Sequence, residues 1–213
     1  EWGVKYSKDG RKLLKAPGEL SGAYSVKEGT RIICDNAFSW CSSLSKIVIP
    51  SGVTSIGNRA FSFCSSLKYI SIPKSVICLN GNPFAKWDGK LKCLSPNFVY
   101  EDGILFNKDK SRIISFRNQN IKSYVIPSSV TSIGDSAFSG CSSLSNIIIP
   151  DSVTSIGERA FYNCSSLSNI VIPDSVTSIG NSTFSGCRSM SNIIIPDSVT
   201  SIGDSAFSGC SSL

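Results

Sequence analysis

The chain has 213 residues, of which 41% are hydrophobic and only 17% are charged, and this composition excludes a long disordered segment. It contains no histidine, so catalysis by Ser-His-Asp or Cys-His groups and zinc sites built on histidine are excluded. No apolar run approaches the ~20 residues that a membrane-spanning helix requires, so we expect no membrane span.

The net charge of +6 is distributed unevenly along the chain. Residues 1–123 contain 19 Lys and Arg against 9 Asp and Glu, whereas residues 124–213 contain 2 against 6. Such an asymmetry can steer a polyanion to the basic half of a protein. The alternative is a solvated surface that has no specific partner. No nucleotide-binding glycine motif occurs, and we expect neither a cofactor nor a nucleic-acid partner.

Residues 1–27 and 101–127 are copies of one unit, offset by 100 residues, and within them we place an N-terminal hairpin unit at 1–23 and a hairpin-enlarged repeat at 97–120. In the second copy the apolar runs 103–106 and 112–116 flank the turn residues 107–110, and the first copy has the same order. Turn residues between short β-prone runs are typical of β-hairpins. We therefore predict a hairpin at each position.

The rest of the chain repeats with a period of 23 residues, which indicates a solenoid of stacked units. We predict a single solenoid over 1–213, in which the hairpin units precede repeat arrays at 24–96 and 121–213. The last copy stops at Leu213 before its strand begins, so we expect this array to be incomplete. The repeated aromatic residues are Phe38, Phe61, Phe84, Phe138, Phe161, Phe184 and Phe207.

Each position of the repeat has a physical role, which the copy around Ile148 illustrates. Period-2 alternation points Ile147 and Ile149 inward and Ile148 outward. After the strand, Gly157 suits a backbone with positive φ. The Asp or Asn that follows this glycine in several copies, such as Asp135, can cap a short helical turn that carries phenylalanine into the core. Neighbouring copies are needed to bury that core.

The pattern I-x-I-P-x-x-V-x-x-I-G-x-x-A-F-x-x-C-x-x-L resembles the BspA-like leucine-rich repeat family over residues 24–92 and 121–213. The resemblance implies a mainly β fold with short helical or 3-10 turns: a right-handed leucine-rich-repeat solenoid, forming one continuous curved stack with hairpin-enlarged repeats. It also implies a bacterial or protozoan surface protein, since some members act as adhesins that bind host matrix proteins. The family supplies no catalytic motif, and we predict that the protein is not an enzyme.

Nine cysteines raise the question of metal or redox chemistry. Six of them share one repeat position, where parallel side chains approach poorly for a disulfide. No C-x-x-C pair exists for zinc, and one Asp per repeat at 151, 174 and 197 is too few ligands for calcium. We therefore predict no metal site and interpret the six as buried, reduced core residues. They are Cys41, Cys64, Cys141, Cys164, Cys187 and Cys210.

The outward side chains of the main strand form the candidate binding surface. An apolar stripe with a polar margin is typical of protein-contact surfaces, and solenoids bind partners on their concave sheets. The alternative is that β-branched residues occur there only for their strand propensity. The candidate protein-binding residues are Lys46, Val48, Lys68, Tyr69, Ser71, Lys122, Val125, Asn146, Ile148, Asn169, Val171, Asn192 and Ile194.

We interpret the protein as an extracellular or cell-surface binding scaffold, adhesin-like, whose partner is a protein such as a host matrix or surface component. Two alternatives stay open: a structural spacer that displays another segment, and a binder of polyanionic glycans such as glycosaminoglycans through the basic half. We expect a monomer rather than an obligate oligomer. No signal peptide is visible at Glu1, so export requires a leader that this chain does not include.

Overall fold

The computed structural model describes residues 2–213, and Glu1 lies outside the described part. The chain divides into two compact units, Glu1–Tyr100 and Glu101–Leu213. Both consist of short strands joined by turns, and residues 2–213 contain no helix. The predicted mainly β repeat fold is confirmed, whereas the assignment of 1–213 to a single domain stays a prediction.

Every strand has between two and five residues, because the chain must turn several times within each 23-residue repeat. The strands are β1 (Lys5–Tyr6), β2 (Lys12–Lys15), β3 (Gly22–Ser25), β4 (Ile32–Ile33), β5 (Leu44–Val48), β6 (Ser55–Ile56), β7 (Tyr69–Ile72), β8 (Cys78–Leu79), β9 (Lys90–Cys93), β10 (Phe98–Glu101), β11 (Ile104–Asn107), β12 (Arg112–Phe116), β13 (Ser123–Val125), β14 (Ser132–Ile133), β15 (Asn146–Ile148), β16 (Ser155–Ile156), β17 (Asn169–Val171), β18 (Ser178–Ile179), β19 (Asn192–Ile194) and β20 (Ser201–Ile202).

Both predicted hairpins are present and share one register. Strand β1 pairs antiparallel with β2, and Lys5 lies opposite Lys15. Strand β11 pairs antiparallel with β12, and Leu105 lies opposite Ser115, each 100 residues further on. The register shifts at the next residue in both hairpins. The two copies therefore repeat in structure as well as in sequence.

From each hairpin onward the strands pair in parallel, because every repeat places its strand beside that of the preceding repeat. In the first unit, one sheet has the order β1-β2-β4-β6-β8, and the main strands form two separate sheets, β3-β5 and β7-β9. In the second unit, β12 pairs with β14 and β14 pairs with β16. Strand β18 pairs with β20. The main strands of the second unit form one continuous sheet, β13-β15-β17-β19.

The periodic phenylalanines stack on one another in the core of each unit. In the second unit the ring centroids of Phe138 and Phe161 are 5.1 Å apart, and those of Phe161 and Phe184 are 5.4 Å apart. In the first unit the rings of Phe38 and Phe61 are nearly parallel at 5.6 Å. All five side chains are fully buried. The expected alignment of the phenylalanine side chains is therefore confirmed within each unit.

The segment that carries each phenylalanine is a run of tight turns. The N–H of Cys141 donates to the carbonyl of Phe138, the three-residue spacing of a 3-10 turn. The N–H of Phe138 instead donates to the carbonyl of Ala160 in the following repeat, at 2.8 Å. Hydrogen bonds within and between repeats alternate here, so the short helical turns are a minor part of the fold.

The prediction that Gly157 needs positive φ is wrong, because the positive φ lies at Arg159, two residues later. Gly157 is required for space: a Cβ atom there would lie 2.6 Å from the backbone nitrogen of Asp135. The capping prediction is also wrong. The Asp135 carboxylate accepts a hydrogen bond from the backbone N–H of Glu158, so it links one repeat to the next.

Candidate functional site

Four aliphatic side chains point outward from the main sheet of the second unit. This is the orientation that the period-2 alternation of strand residues predicts for them. Val125 pairs in register with Ile148, and Val171 with Ile194. Their inward neighbours, such as Ile147 and Ile149, are buried, as the alternation predicts. We name this set the aliphatic column: Val125 (59% exposed), Ile148 (51%), Val171 (58%) and Ile194 (53%).

A row of polar side chains runs beside the aliphatic column. Asn146 pairs with Asn169, and Asn169 with Asn192. All three are exposed, as is Lys122, which immediately precedes β13. A depression of about 290 Å³ lies between the row and the column, lined in part by Asn146, Asn169 and Val171. The eight candidate residues of the second unit thus lie together on one face.

The five candidate residues of the first unit also lie together, but their surroundings differ. They line an open groove of about 510 Å³ that also reaches Leu94. We name this feature the basic groove. Its candidate residues are Lys46, Val48, Lys68, Tyr69 and Ser71.

The sequence reasoning missed residues on the neighbouring strand β9. Lys90 pairs with Tyr69, and Lys92 with Ser71. Lys92 lies 21 residues after Ser71, two fewer than the usual period, so a search at 23-residue spacing does not find it. Leu94, which lines the basic groove, is 42% exposed. The first unit therefore presents more cations and more apolar surface than the sequence indicated.

A second missed feature is an exposed aromatic pair on the turns. The rings of Trp40 and Phe63 stack at a centroid distance of 3.9 Å with an angle of 11° between them. Both residues have positive φ, a conformation that is rare for bulky side chains. Gly140 and Gly186 occupy the same repeat position in the second unit. The substitution of aromatics for glycine at this position was the available sequence signal.

The BspA type leucine rich repeat region matches residues 25–97 and 112–213, in six copies. The chain belongs to the BspA-type leucine-rich repeat family. The family resemblance expected from the repeat pattern is thereby confirmed over most of the chain. A comparison with curated proteins found no significant match.

Several solved structures share the fold of this chain. A leucine rich cell surface protein from Faecalibacterium prausnitzii is 34% identical, with a TM-score of 0.77 over 90% of this chain and 52% of its own. The pneumococcal vaccine antigen PcpA is 28% identical, with a TM-score of 0.77 over 90% and 49% of the two chains. A leucine-rich repeat protein from Eubacterium ventriosum is 27% identical, with a TM-score of 0.70 over 90% and 64%. The chain spans about half to two thirds of the length of these proteins.

The periodic cysteines of this BspA-type chain line the core beside the phenylalanines. The thiol of Cys64 donates to the carbonyl of Phe38 at 3.1 Å, and that of Cys187 to Phe161 at 3.2 Å. Burial raises the pKa of both thiols from the ordinary 9.0 to about 12. Five of the six are buried, whereas Cys210 is partly exposed. The interpretation of these cysteines as small core residues fits their burial.

Reactivity should separate the cysteines by exposure. With an excess of iodoacetamide at neutral pH, we expect Cys78, which is exposed, to be alkylated first and Cys64 and Cys187 to stay unmodified. The attacking species is the thiolate, which burial disfavours in both core residues. Mass spectrometry of the digested protein measures each site, and a denatured sample is the control. If Cys64 were alkylated as fast as Cys78 in the folded protein, the burial of the periodic cysteines would be contradicted.

Residues 2–213 contain neither a cluster of metal ligands nor a membrane-spanning helix. No group of three or more His, Cys, Asp or Glu side chains in this range is placed to hold a metal ion. Within the same residues, no helix is long and apolar enough to cross a membrane.

Proposed function

We propose that this BspA-type protein is a non-enzymatic scaffold at the cell surface that binds a protein partner, in the manner of an adhesin, through the outward face of its main strands. The aliphatic column carries this proposal. Four β-branched side chains, each more than half exposed, lie in register on hydrogen-bonded strands. A row of exposed apolar side chains with a polar margin is a typical protein-contact surface.

Burial of the column by a partner would contribute apolar binding energy. Burying an exposed Val or Ile side chain stabilises a complex by about 1.5–3 kcal/mol when burial is complete. The column side chains are between 51% and 59% exposed, so each can contribute about half of that range. Since strands of one sheet hold the four in place, little conformational entropy is lost when a partner binds.

The relatives support the proposed location. One similar protein is a leucine rich cell surface protein, and another is a pneumococcal vaccine antigen. Surface placement would expose the column to proteins of the surroundings, such as host matrix components. The whole protein's partners belong to this proposal, since the chain spans about half the length of both relatives.

Replacing Ile148, Val171 and Ile194 together by Lys should abolish binding to the partner, because three buried apolar contacts would become desolvated charges. Binding is measured by surface plasmon resonance of the full chain against purified extracellular matrix proteins, and circular dichroism checks the fold. The matched control places three lysines on exposed threonines of the same unit, Thr131, Thr154 and Thr177.

The outcomes separate the proposal from its two alternatives. Loss of binding in the column variant but not in the threonine control supports the column. Equal binding by both variants rules the column out, and no binding by the unaltered chain favours a structural spacer. A polyanion binder would instead prefer sulfated glycans, and its affinity would fall steeply as salt is raised.

A further inference from the structure

We infer that the basic groove of the first unit binds an extended, acidic protein segment that also carries apolar side chains. This inference rests on the proposed function, since it names the chemistry of one protein partner. It concerns a different surface from the aliphatic column, and the two can be tested separately.

The charge of the groove selects an acidic partner. Lys46 and Lys68 line it, and Lys90 and Lys92 follow on the adjacent strand β9, all four exposed. Strands β3, β5, β7 and β9 contain no Asp or Glu to offset these charges. A surface of one sign attracts and orients a partner of the opposite sign.

The second unit provides an internal comparison for this charge. Its main strands β13, β15, β17 and β19 contain no charged residue. Among the candidate residues of that unit only Lys122, which immediately precedes β13, is charged, so the same repeat architecture presents one lysine there and four lysines in the first unit. The lysines of the first unit are thus not a requirement of the fold.

The apolar part of the groove excludes a partner that is recognised by charge alone. Val48, Tyr69 and Leu94 are 46%, 50% and 42% exposed, and all three line the groove. A sulfated glycan would bind the lysines and leave these side chains without apolar contacts, whereas Leu or Tyr side chains of a peptide would cover them.

The position of the groove suits an extended chain. It is lined by residues of β5 and β7, which belong to two separate sheets. Lys46 and Val48 stand two residues apart on β5, as do Tyr69 and Ser71 on β7. An extended peptide presents residues i and i+2 on the same face, so an acidic and an apolar side chain two residues apart can face Lys46 and Val48 together.

The test uses the full chain and a fluorescein-labelled peptide in which Glu and Leu alternate at every second position with Ser between them, so that both face the groove, and binding is followed by fluorescence polarisation. We expect the double variant Lys46→Glu, Lys68→Glu to bind roughly tenfold more weakly, which corresponds to about 1.4 kcal/mol. A peptide with Ser in place of Leu should also bind roughly tenfold more weakly. The matched control is Lys5→Glu, Lys8→Glu, which makes the same charge change on the hairpin and should leave the affinity unchanged.

Each outcome supports or overturns the inference. Loss of affinity in the groove variant and in the Ser peptide, but not in the hairpin control, supports it. Equal loss in both charge variants, or heparin displacing the peptide while the Ser peptide binds as well as the Leu peptide, overturns it in favour of a general polyanion surface. No peptide binding to the unaltered chain overturns it as well.

The failure of this inference is distinguishable from failure of the proposed function. A column variant with Ser in place of Ile148, Val171 and Ile194 should bind the peptide normally, because its substitutions lie in the second unit and add no charge. If matrix-protein binding is lost in that variant while the peptide never binds, the scaffold function stands and the groove inference fails. If the peptide binds and no matrix protein binds, the groove inference stands and the proposed matrix-binding function fails.

Discussion

Replacing Phe161 by Ala should lower the free energy of unfolding by about 3–5 kcal/mol, the range for removing a buried Phe side chain. Phe161 is fully buried and stacks on Phe138 and Phe184 at 5.1 and 5.4 Å. The substitution would leave a cavity in the middle of the stack. Each repeat is stabilised mainly by its neighbours, so the cavity weakens two interfaces at once.

Urea denaturation followed by circular dichroism measures this effect, and Phe207→Ala is the matched control. Phe207 occupies the same repeat position but is partly exposed. Its ring stacks on that of Phe184. We expect a clearly smaller loss for Phe207→Ala. Equal losses at the two positions would show that stacking between repeats does not provide the stability.

Replacing Gly157 by Ala should destabilise the protein by about 1–3 kcal/mol, the usual effect of overpacking. The new Cβ atom would lie 2.6 Å from the Asp135 nitrogen and 2.8 Å from the Gly134 carbonyl carbon. Both are backbone atoms of the preceding repeat, so no side-chain rotation can relieve the clash. The two repeats would have to move apart at this point.

Gly180→Ala is the control for this prediction because Gly180 has the same repeat position with more room. The nearest atoms to its added Cβ are 3.4 Å away, which is close to ordinary contact. Ala also restricts the unfolded chain, so Gly180→Ala should be neutral or stabilising by up to about 1 kcal/mol. Thermal unfolding of the two variants side by side measures the difference, and an equal shift would refute the close approach as the cause.

The repeat pattern alone was sufficient to predict the core. A Phe that returns every 23 residues must stack on its neighbours if each copy folds alike, and the structure shows this stack in both units. The alternation Ile147–Ile148–Ile149 likewise predicted which side chains point outward, because successive strand residues face opposite sides. Seven of the eight candidate residues of the second unit follow this alternation, whereas Lys122 lies before the strand begins.

The repeat pattern was insufficient where the distance between neighbouring repeats determines the role of a residue. The glycine before each turn is compatible with two causes, positive φ or a close approach, and the 2.6 Å contact at Gly157 identifies the second. From the sequence, the carboxylate of Asp135 could accept a hydrogen bond from its own turn or from the next repeat. In the structure it accepts one from the backbone N–H of Glu158 in the next repeat. Local sequence does not choose between these, since the deciding atom belongs to another copy.

By itself, the sequence determined the repeat family, the inward and outward positions of the main strands, and the stacked phenylalanine core, because these follow from the alternation within a strand and from the recurrence of the same residues every 23 positions. The tertiary structure decided which surface residues meet. The pairing of Ser71 with Lys92 brings lysines of β9 beside the groove, although their spacing departs from the period. Such neighbours are set by how two copies align, and that alignment depends on packing and hydrogen bonds between strands far apart in the chain.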